Sequence, residues 1–332
     1  MKKLFYLLSF LLLMLTACNG NRKETYSTAD EPTAPAFCED SAFAYIAAQC
    51  QFGPRTMNSA AHDACGDWIA QKFEDFGATV YRQYADGKLH NGTTIKMQNI
   101  IAAINPEAEV RIILSGHWDS RPWADNDEDE SLHNTPIDGA NDGGSGIGIM
   151  LEVARQIQLA KTADSATVCG IIDGSIGVDF ICWDAEDSGS HGANSSSTWC
   201  LGSQYWAGVR HVEGYTARYG INLDMVGSAK TVFCKEGVSM HFAPTLVDRI
   251  WSTAQRLGYG NYFKNEECGE MIDDHLHVNR GGIPCVDIIG LDAEEGGFPS
   301  TWHTMGDNLG NINKPTLKAV GQTMLEVLWN EK

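Results

Sequence analysis

The sequence predicts an α/β protein: a three-layer α/β/α arrangement in which helices cover both faces of a central mixed, mostly parallel sheet. Three observations predict it. Short apolar runs alternate along the 332 residues with longer segments whose apolar residues recur at helical spacing. The runs are bounded by turn residues, as buried strands are. Most of the runs are followed by acidic or histidine side chains, an arrangement typical of an α/β protein with a ligand site.

The helices and strands follow from these patterns in chain order. Helices are predicted over 37–50, 59–76, 145–161, 199–211, 244–257 and 315–330. The second of these ends at Gly77, which suits a helix C-cap. Strands are predicted at the runs NIIAAI, VRIILSG, VDFICWD, YGINLDM and CVDIIG. They are too short for helices of ordinary length, so we assign them to the buried sheet.

Potential metal ligands come after strand ends. The set is His117, Asp142, Glu186, Asp187, Asp224 and His303. Because the carboxyl ends of parallel strands meet at one edge of a sheet, we expect these side chains to converge. Imidazole and carboxylate groups suit Zn²⁺. Each residue alone has an ordinary structural explanation, such as turn formation by Asp142, and the spacing alone is not diagnostic because no HExxH motif occurs.

The first residues are predicted to direct export. Residues 1–18 contain two lysines, an apolar run and the sequence LTAC, as in a bacterial lipoprotein signal peptide that leaves a lipidated Cys18. A short membrane anchor and plain secretion are the alternatives. Residues 19–36 are polar and predict a flexible tether, followed by one catalytic domain over 37–332. Asn19 replaces the Asp of an inner-membrane retention signal, which favours the outer membrane and a periplasmic location.

Composition limits the partners of the protein. Its 43 acidic residues against 24 Lys and Arg give a net charge of -19, which argues against nucleic acid and against an anionic membrane surface. Membrane contact is therefore expected only through a lipidated Cys18. Nine further cysteines lack CxxC spacing, and their disulfide pairing is left open. The acidic stretch 124–130 is interpreted as a solvated loop.

A family resemblance narrows the function. The segments SGHWDSRPW, DGANDGGSG, WDAEDSG, INLDMVG, IDDHLHVNRGGIPCVDII and GGFPSTWHTMGDN occur in this order. Together they resemble the motifs of the zinc-dependent aminopeptidase family, and more narrowly those of its glutaminyl-peptide cyclotransferase branch. The resemblance covers about residues 40–332. It implies a zinc exopeptidase-like fold and the conversion of N-terminal glutamine to pyroglutamate with release of ammonia.

The resemblance also implies roles for individual residues. It implies one Zn²⁺ held by Asp142, Asp187 and His303. It implies Glu186 as the general acid/base, with Asp224 and Asp273 as its hydrogen-bonding supports. Trp302 and Phe298 would line the substrate pocket, and Trp199 is our candidate for a further pocket tryptophan. The family often has Glu where this chain has Asp187, and the inserted sequence GSHGANSSS makes the position of that tryptophan harder to assign.

Two other functions stay open at this point. His117 and Asp224 match the additional ligands of dinuclear aminopeptidases, so a two-zinc aminopeptidase is the alternative to a one-zinc cyclase. A lipoprotein that binds peptide or metal without turnover is the third hypothesis. For the cyclase we expect peptides or proteins with N-terminal Gln as substrates, and a monomer.

Overall fold

The computed structural model describes residues 29–163, 169–191, 197–294 and 296–332. The predicted signal peptide, Cys18 and the first part of the predicted tether lie outside these ranges. Within them, no helix combines the length and the apolar character needed to cross a membrane.

The helices of the described chain agree with the six predicted ones and add three short ones. They are α1 Glu39–Gln51, α2 Ala60–Asp75, α3 Gly144–Thr162, α4 Gly170–Asp173, α5 Leu201–Gly208, α6 Gly237–Phe242, α7 Pro244–Arg256, α8 Asp274–Arg280 and α9 Lys314–Trp329. The strands are β1 Thr79–Lys88, β2 Thr94–Ile104, β3 Val110–His117, β4 Ile176–Trp183, β5 Tyr219–Asp224, β6 Thr231–Lys235, β7 Phe263–Glu267, β8 Cys285–Ile289 and β9 Leu291–Asp292.

Six strands form the central sheet in the order β1-β2-β4-β3-β5-β8. β4, β3, β5 and β8 run parallel to one another, whereas β2 pairs antiparallel with both β1 and β4. The predicted mixed, mostly parallel sheet is therefore confirmed. A second sheet, β7-β6-β9, was not predicted.

Both faces of the central sheet are covered, because consecutive strand residues point to opposite sides. Ile112 and Leu114 of β3 belong to the larger core, together with side chains of α1, α2, α3, α7 and α9. Ile113, between them, packs in a smaller core with Trp206 of α5 and Val278 of α8. The three layers are thus helices, sheet and helices, as predicted.

The sequence patterns missed the first strand and misplaced two boundaries. β1 is half exposed along its length and carries charged residues, so it lacks the apolar run that marks a buried strand. The run NIIAAI is only the second half of β2. The helix predicted from 199 begins at Leu201, because Cys200 has a left-handed backbone with φ of 57°.

The end of the predicted tether contacts the domain. Both the backbone N–H and the hydroxyl of Thr33 donate to the Glu326 carboxylate at 2.9 Å, and the Ala34 N–H donates to it at the same distance. Glu326 is buried in α9. The Asp30 N–H also donates to the Arg256 carbonyl at 2.9 Å, so the segment predicted as a tether is bonded to the domain from Asp30 onward.

One disulfide joins Cys234, in β6, to Cys268, directly after β7. It closes a segment of the chain with a sequence separation of 34. The other cysteines of the described ranges are free thiols, and Cys65, Cys182, Cys200 and Cys285 are fully buried. The structure therefore supplies a pairing that the cysteine spacing left open.

Candidate active site

The predicted site residues lie at the carboxyl edge of the central sheet. His117 ends β3 and Asp224 ends β5, and these two strands are parallel neighbours. Glu186 follows the end of β4, on the other side of β3. Asp142 precedes α3, and Asp273 is the N-cap residue of α8. One pocket is lined by six of the predicted acidic and histidine residues: Asp142, Glu186, Asp187, Asp224, Asp273 and His303. His117 lies beneath this pocket, where it contacts Asp142 and Asp224.

Asp142, Asp187 and His303 form a compact group of potential metal ligands. His303 Nε2 lies 3.0 Å from Asp187 Oδ1 and 3.6 Å from Asp142 Oδ2. Asp142 Oδ2 and Asp187 Oδ2 are buried and have no hydrogen-bond partner within the described chain. Since buried carboxylate oxygens are costly without a partner, this group fits a divalent cation such as Zn²⁺.

A second group shares Asp142 with the first. His117 Nε2 lies 2.9 Å from Asp142 Oδ1 and 3.2 Å from Asp224 Oδ1. Burial raises the pKa of Asp224 to about 8, and the neighbouring Asp142 acts in the same direction. Burial also lowers the pKa of His303 to about 3, which keeps this imidazole in the neutral form that binds metals. The two groups together have the ligand types for one or two cations.

Two backbone hydrogen bonds orient Glu186 and Asp187. The Glu186 N–H donates to Asp119 Oδ1 at 3.0 Å, and the Asp187 N–H donates to Asp119 Oδ2 at 3.2 Å. Ala185, just before them, has a left-handed φ of 53°. Burial raises the pKa of Glu186 well above its usual range, His117 opposes this, and Asp187 and Asp273 reinforce it. A carboxyl whose pKa is raised holds its proton more readily than an exposed one, as a general acid/base requires.

Aromatic side chains form the wall of the pocket, which has a volume of about 290 Å³. The rings of Trp302 and His303 are stacked with centroids 3.8 Å apart, and Phe298 lies 4.6 Å from Trp302. Trp199 is nearly parallel to His303, with an interplanar angle of 11°. The structure thus brings all three predicted aromatic residues together around a potential metal ligand. The remaining lining residues are His191, Met225, Glu270, Met271, Ile272 and Ile289.

Arg121 is a site residue that sequence reasoning did not single out. It is buried, and its guanidinium donates to the backbone carbonyl of Asp187 at 3.0 Å. Two hydrogen bonds to the Asp125 carboxylate, at 2.7 and 2.6 Å, hold the guanidinium in place. Its carbon lies 4.8 Å from the centroid of the Trp199 ring. The one signal in the sequence was its place in the segment SGHWDSRPW.

Asp307 fixes the loop that carries Asp142. Its carboxylate accepts the backbone N–H groups of Asn141 at 2.7 Å and of Asp142 at 3.1 Å. The segment GGFPSTWHTMGDN contains this residue, but the resemblance assigned it no role. Asp307 therefore orients a potential metal ligand from a position 165 residues away.

The acidic stretch 124–130 packs beside the pocket rather than being wholly solvated. The Asn126 N–H donates to the His303 carbonyl at 3.1 Å, and the Asp127 carboxylate accepts the Met305 N–H at 3.0 Å. These bonds attach the stretch to the loop of His303, while Glu128, Asp129 and Glu130 remain exposed.

Comparison with known proteins identifies the family. Residues 99–328 match the sequence model of peptidase family M28. The chain belongs to this family. It is 49% identical to Bacteroides thetaiotaomicron glutaminyl cyclase bound to N-acetylhistamine, with a TM-score of 0.84, over 90% of this chain and 100% of that one. A Zn-dependent exopeptidase from Parabacteroides distasonis is 48% identical, with a TM-score of 0.83, over 90% of this chain and 100% of that one.

A curated relative is more distant. The glutaminyl-peptide cyclotransferase of Gloydius blomhoffii is 27% identical over 249 residues. The match spans 66% of this chain and 61% of the snake protein, so this M28 chain covers about three fifths of that relative's length. The zinc exopeptidase-like fold predicted from the resemblance is confirmed by the solved structures.

Proposed function

We propose that this M28 protein is a zinc-dependent glutaminyl cyclase that converts the N-terminal glutamine of peptides and proteins to pyroglutamate with release of ammonia. The observation that carries the proposal is an aromatic-walled pocket that places Trp302 against His303 and has Glu186 and Asp273 in its lining. The solved glutaminyl cyclase that covers 90% of this chain supports it.

Asp142, Asp187 and His303 would hold the zinc, in agreement with their convergence and with one oxygen on each aspartate that has no hydrogen-bond partner among the described residues. When bound, zinc would supply a Lewis acid for the γ-carbonyl of the glutamine. Arg121 and Asp119 orient Asp187 through its carbonyl and its N–H, so this ligand has a fixed position before substrate arrives.

Glu186 would move the proton. The α-amine of the substrate attacks its own side-chain carbonyl, so the nucleophile is already tethered and proximity lowers the barrier. Glu186 takes a proton from the amine and delivers it to the departing ammonia. Among the described residues, Asp273 and Asp224 have no hydrogen bond to Glu186: Asp273 accepts the Asn222 amide N–H at 2.9 Å, and Asp224 bonds to His117 at 3.2 Å. Asp273 lines the pocket with Glu186 and would act on it through its charge, which raises the pKa of that carboxyl.

The aromatic wall would bind the substrate. Trp302, Phe298 and Trp199 line a pocket of about 290 Å³, a volume suited to one small side chain and its amine. Excluding water favours cyclisation over hydrolysis, because water is the competing nucleophile.

A dinuclear aminopeptidase is the second candidate, and the convergence of His117, Asp142 and Asp224 favours it. Metal analysis separates the two functions in part: we expect about one zinc per chain for the cyclase. A reproducible value near two would shift the balance towards the aminopeptidase.

The deciding experiment compares two reactions of the purified protein. Ammonia release from peptides with N-terminal Gln measures cyclisation, and cleavage of aminoacyl anilides measures peptidase activity. We expect the first without the second. Hydrolysis without cyclisation would reject the cyclase, and the lack of both activities in a zinc-loaded protein would favour a binding protein.

We further propose that the protein is a monomeric periplasmic lipoprotein, anchored in the outer membrane through Cys18, that acts on exported proteins with N-terminal Gln. The composition of residues 1–18 supports the anchor. Mass spectrometry of the mature N-terminus tests the lipid. Cys18→Ser should show no lipid and an uncleaved signal peptide in this measurement, and a wild-type mature N-terminus without lipid would refute the anchor.

A further inference from the structure

A buried thiol lies against the carboxyl that the mechanism uses for proton transfer. Cys200 Sγ is 3.3 Å from Glu186 Oε1, within hydrogen-bond range for sulfur, and Cys200 has no exposed surface. The Asp273 carboxylate completes the cluster, with one ligand atom from each of the three residues within 4.8 Å of the others. No proposed step uses this thiol.

The backbone around Cys200 is also bonded to the segment that carries Glu186. The Cys200 N–H donates to the Glu186 carbonyl at 3.0 Å, and the Leu201 N–H donates to the Ala185 carbonyl at 3.0 Å. Cys200 and Ala185 both have left-handed φ angles, 57° and 53°. A left-handed backbone is energetically unfavourable for residues other than glycine. Here two residues in hydrogen-bonded segments adopt it, close to the contact between the thiol and the carboxyl.

The chemistry of the thiol suits a neutral hydrogen-bond donor. Burial raises the pKa of Cys200 well above its usual range, and the nearby Glu186 acts in the same direction, so the sulfur stays protonated. A lysine or arginine in this place would form an ion pair with Glu186 and hold it as a carboxylate. A thiol is a weak donor that orients the carboxyl without adding charge.

Resting on the proposed cyclase function, we infer that Cys200 is a positioning residue for Glu186: its S–H donates to Oε1 and fixes the rotamer of the carboxyl, which leaves Oε2 for proton transfer. Asp119 holds the backbone N–H of Glu186 at the same time. Glu186 is thereby held at two places: Asp119 bonds to its backbone N–H, and Cys200 bonds to its side-chain carboxyl.

Three variants test this inference. Cys200→Ala removes the donor, and we expect kcat to fall about two- to tenfold with KM and zinc content unchanged, because the net contribution of one ordinary hydrogen bond corresponds to about this factor. Cys200→Ser keeps a donor and should recover most of kcat. Both variants keep a Cβ at the left-handed position, so they share its backbone cost. Cys65→Ala, a buried thiol in the core at α2, is the matched control and should leave kcat unchanged.

Two results would overturn the inference. Equal kcat in wild type and Cys200→Ala would show that the thiol does not position Glu186, and Cys200→Ser as slow as Cys200→Ala would show that only the shape of the thiol matters. A wild-type protein that does not cyclise glutamine would instead reject the proposed function.

A spectroscopic measurement tests the bond itself, without turnover and without the alanine variant. Subtracting the infrared spectrum of Cys200→Ser from that of wild type isolates the S–H band of Cys200. Subtracting the spectrum of Cys65→Ser isolates the S–H band of Cys65 in the same way. The Cys200 band should lie at the lower frequency. The Glu186→Gln variant should shift the Cys200 band and leave the Cys65 band in place. An unshifted Cys200 band would refute the hydrogen bond.

Discussion

Asp119 offers a quantitative test of how the loop of Glu186 and Asp187 is held. Its buried carboxylate accepts one backbone N–H from each residue, at 3.0 and 3.2 Å. In Asp119→Asn, one of these acceptors becomes an NH₂ group that faces a backbone N–H. A hydrogen bond to a charged group contributes about 1.5–3 kcal/mol, and an unsatisfied buried donor costs about 1–3 kcal/mol. We therefore expect the free energy of unfolding to fall by about 2.5–6 kcal/mol.

Chemical denaturation of the zinc-loaded protein measures this loss, and zinc titration measures the effect on the site. We expect zinc affinity to fall at least tenfold, in the range found when groups behind metal ligands are removed. Asp129→Asn is the matched control, because Asp129 accepts the Ser131 N–H at 3.0 Å on the surface. It should change the unfolding free energy by less than about 0.5 kcal/mol.

The result that would refute this reasoning is an Asp119→Asn protein with the stability of Asp129→Asn and unchanged zinc affinity. The loop would then be held by its other contacts, chiefly the Arg121 bond to the Asp187 carbonyl.

Three further predictions use independent measurements. Glu186→Gln should abolish turnover and keep zinc, whereas His303→Ala should lose both; zinc loss in the first variant or full activity in the second would contradict the assigned roles. Cys234→Ala opens the disulfide, and with a sequence separation of 34 the loop-entropy model gives an unfolding free energy about 3–4 kcal/mol below that of oxidised wild type. Reduced wild type is the control and should be destabilised to the same extent. Burial lowers the pKa of His211 to about 4 from 6.5, so unfolding takes up a proton below pH 6.5 and stability should fall as the pH drops from 6.5 towards 4. His211→Gln should remove this part of the pH dependence, and an unchanged pH profile in that variant would assign the acid sensitivity to other groups.

The sequence by itself determined the layer architecture and the edge at which the site lies. Runs such as VRIILSG and YGINLDM are apolar enough to predict a buried strand even when the neighbouring strands of the sheet are unknown. Because His117 and Asp224 end parallel strands, the sequence pattern also predicted that their side chains lie close together. β1 could not be predicted in this way, since its half-exposed residues form a strand only by pairing with β2.

Only the tertiary structure decided which side chains support the site. Asp307 bonds to the loop of Asp142 across 165 residues. The Cys234–Cys268 disulfide joins β6 to the residue after β7, in a small sheet that no local sequence pattern predicted. Cys200 looked like any buried cysteine until the fold placed its thiol beside Glu186. Local sequence encodes periodicity and strand ends, whereas hydrogen bonds between distant loops exist only once packing brings the loops together. The residues proposed for the chemistry could therefore be selected from the sequence and the family resemblance, and those that hold them in place could not.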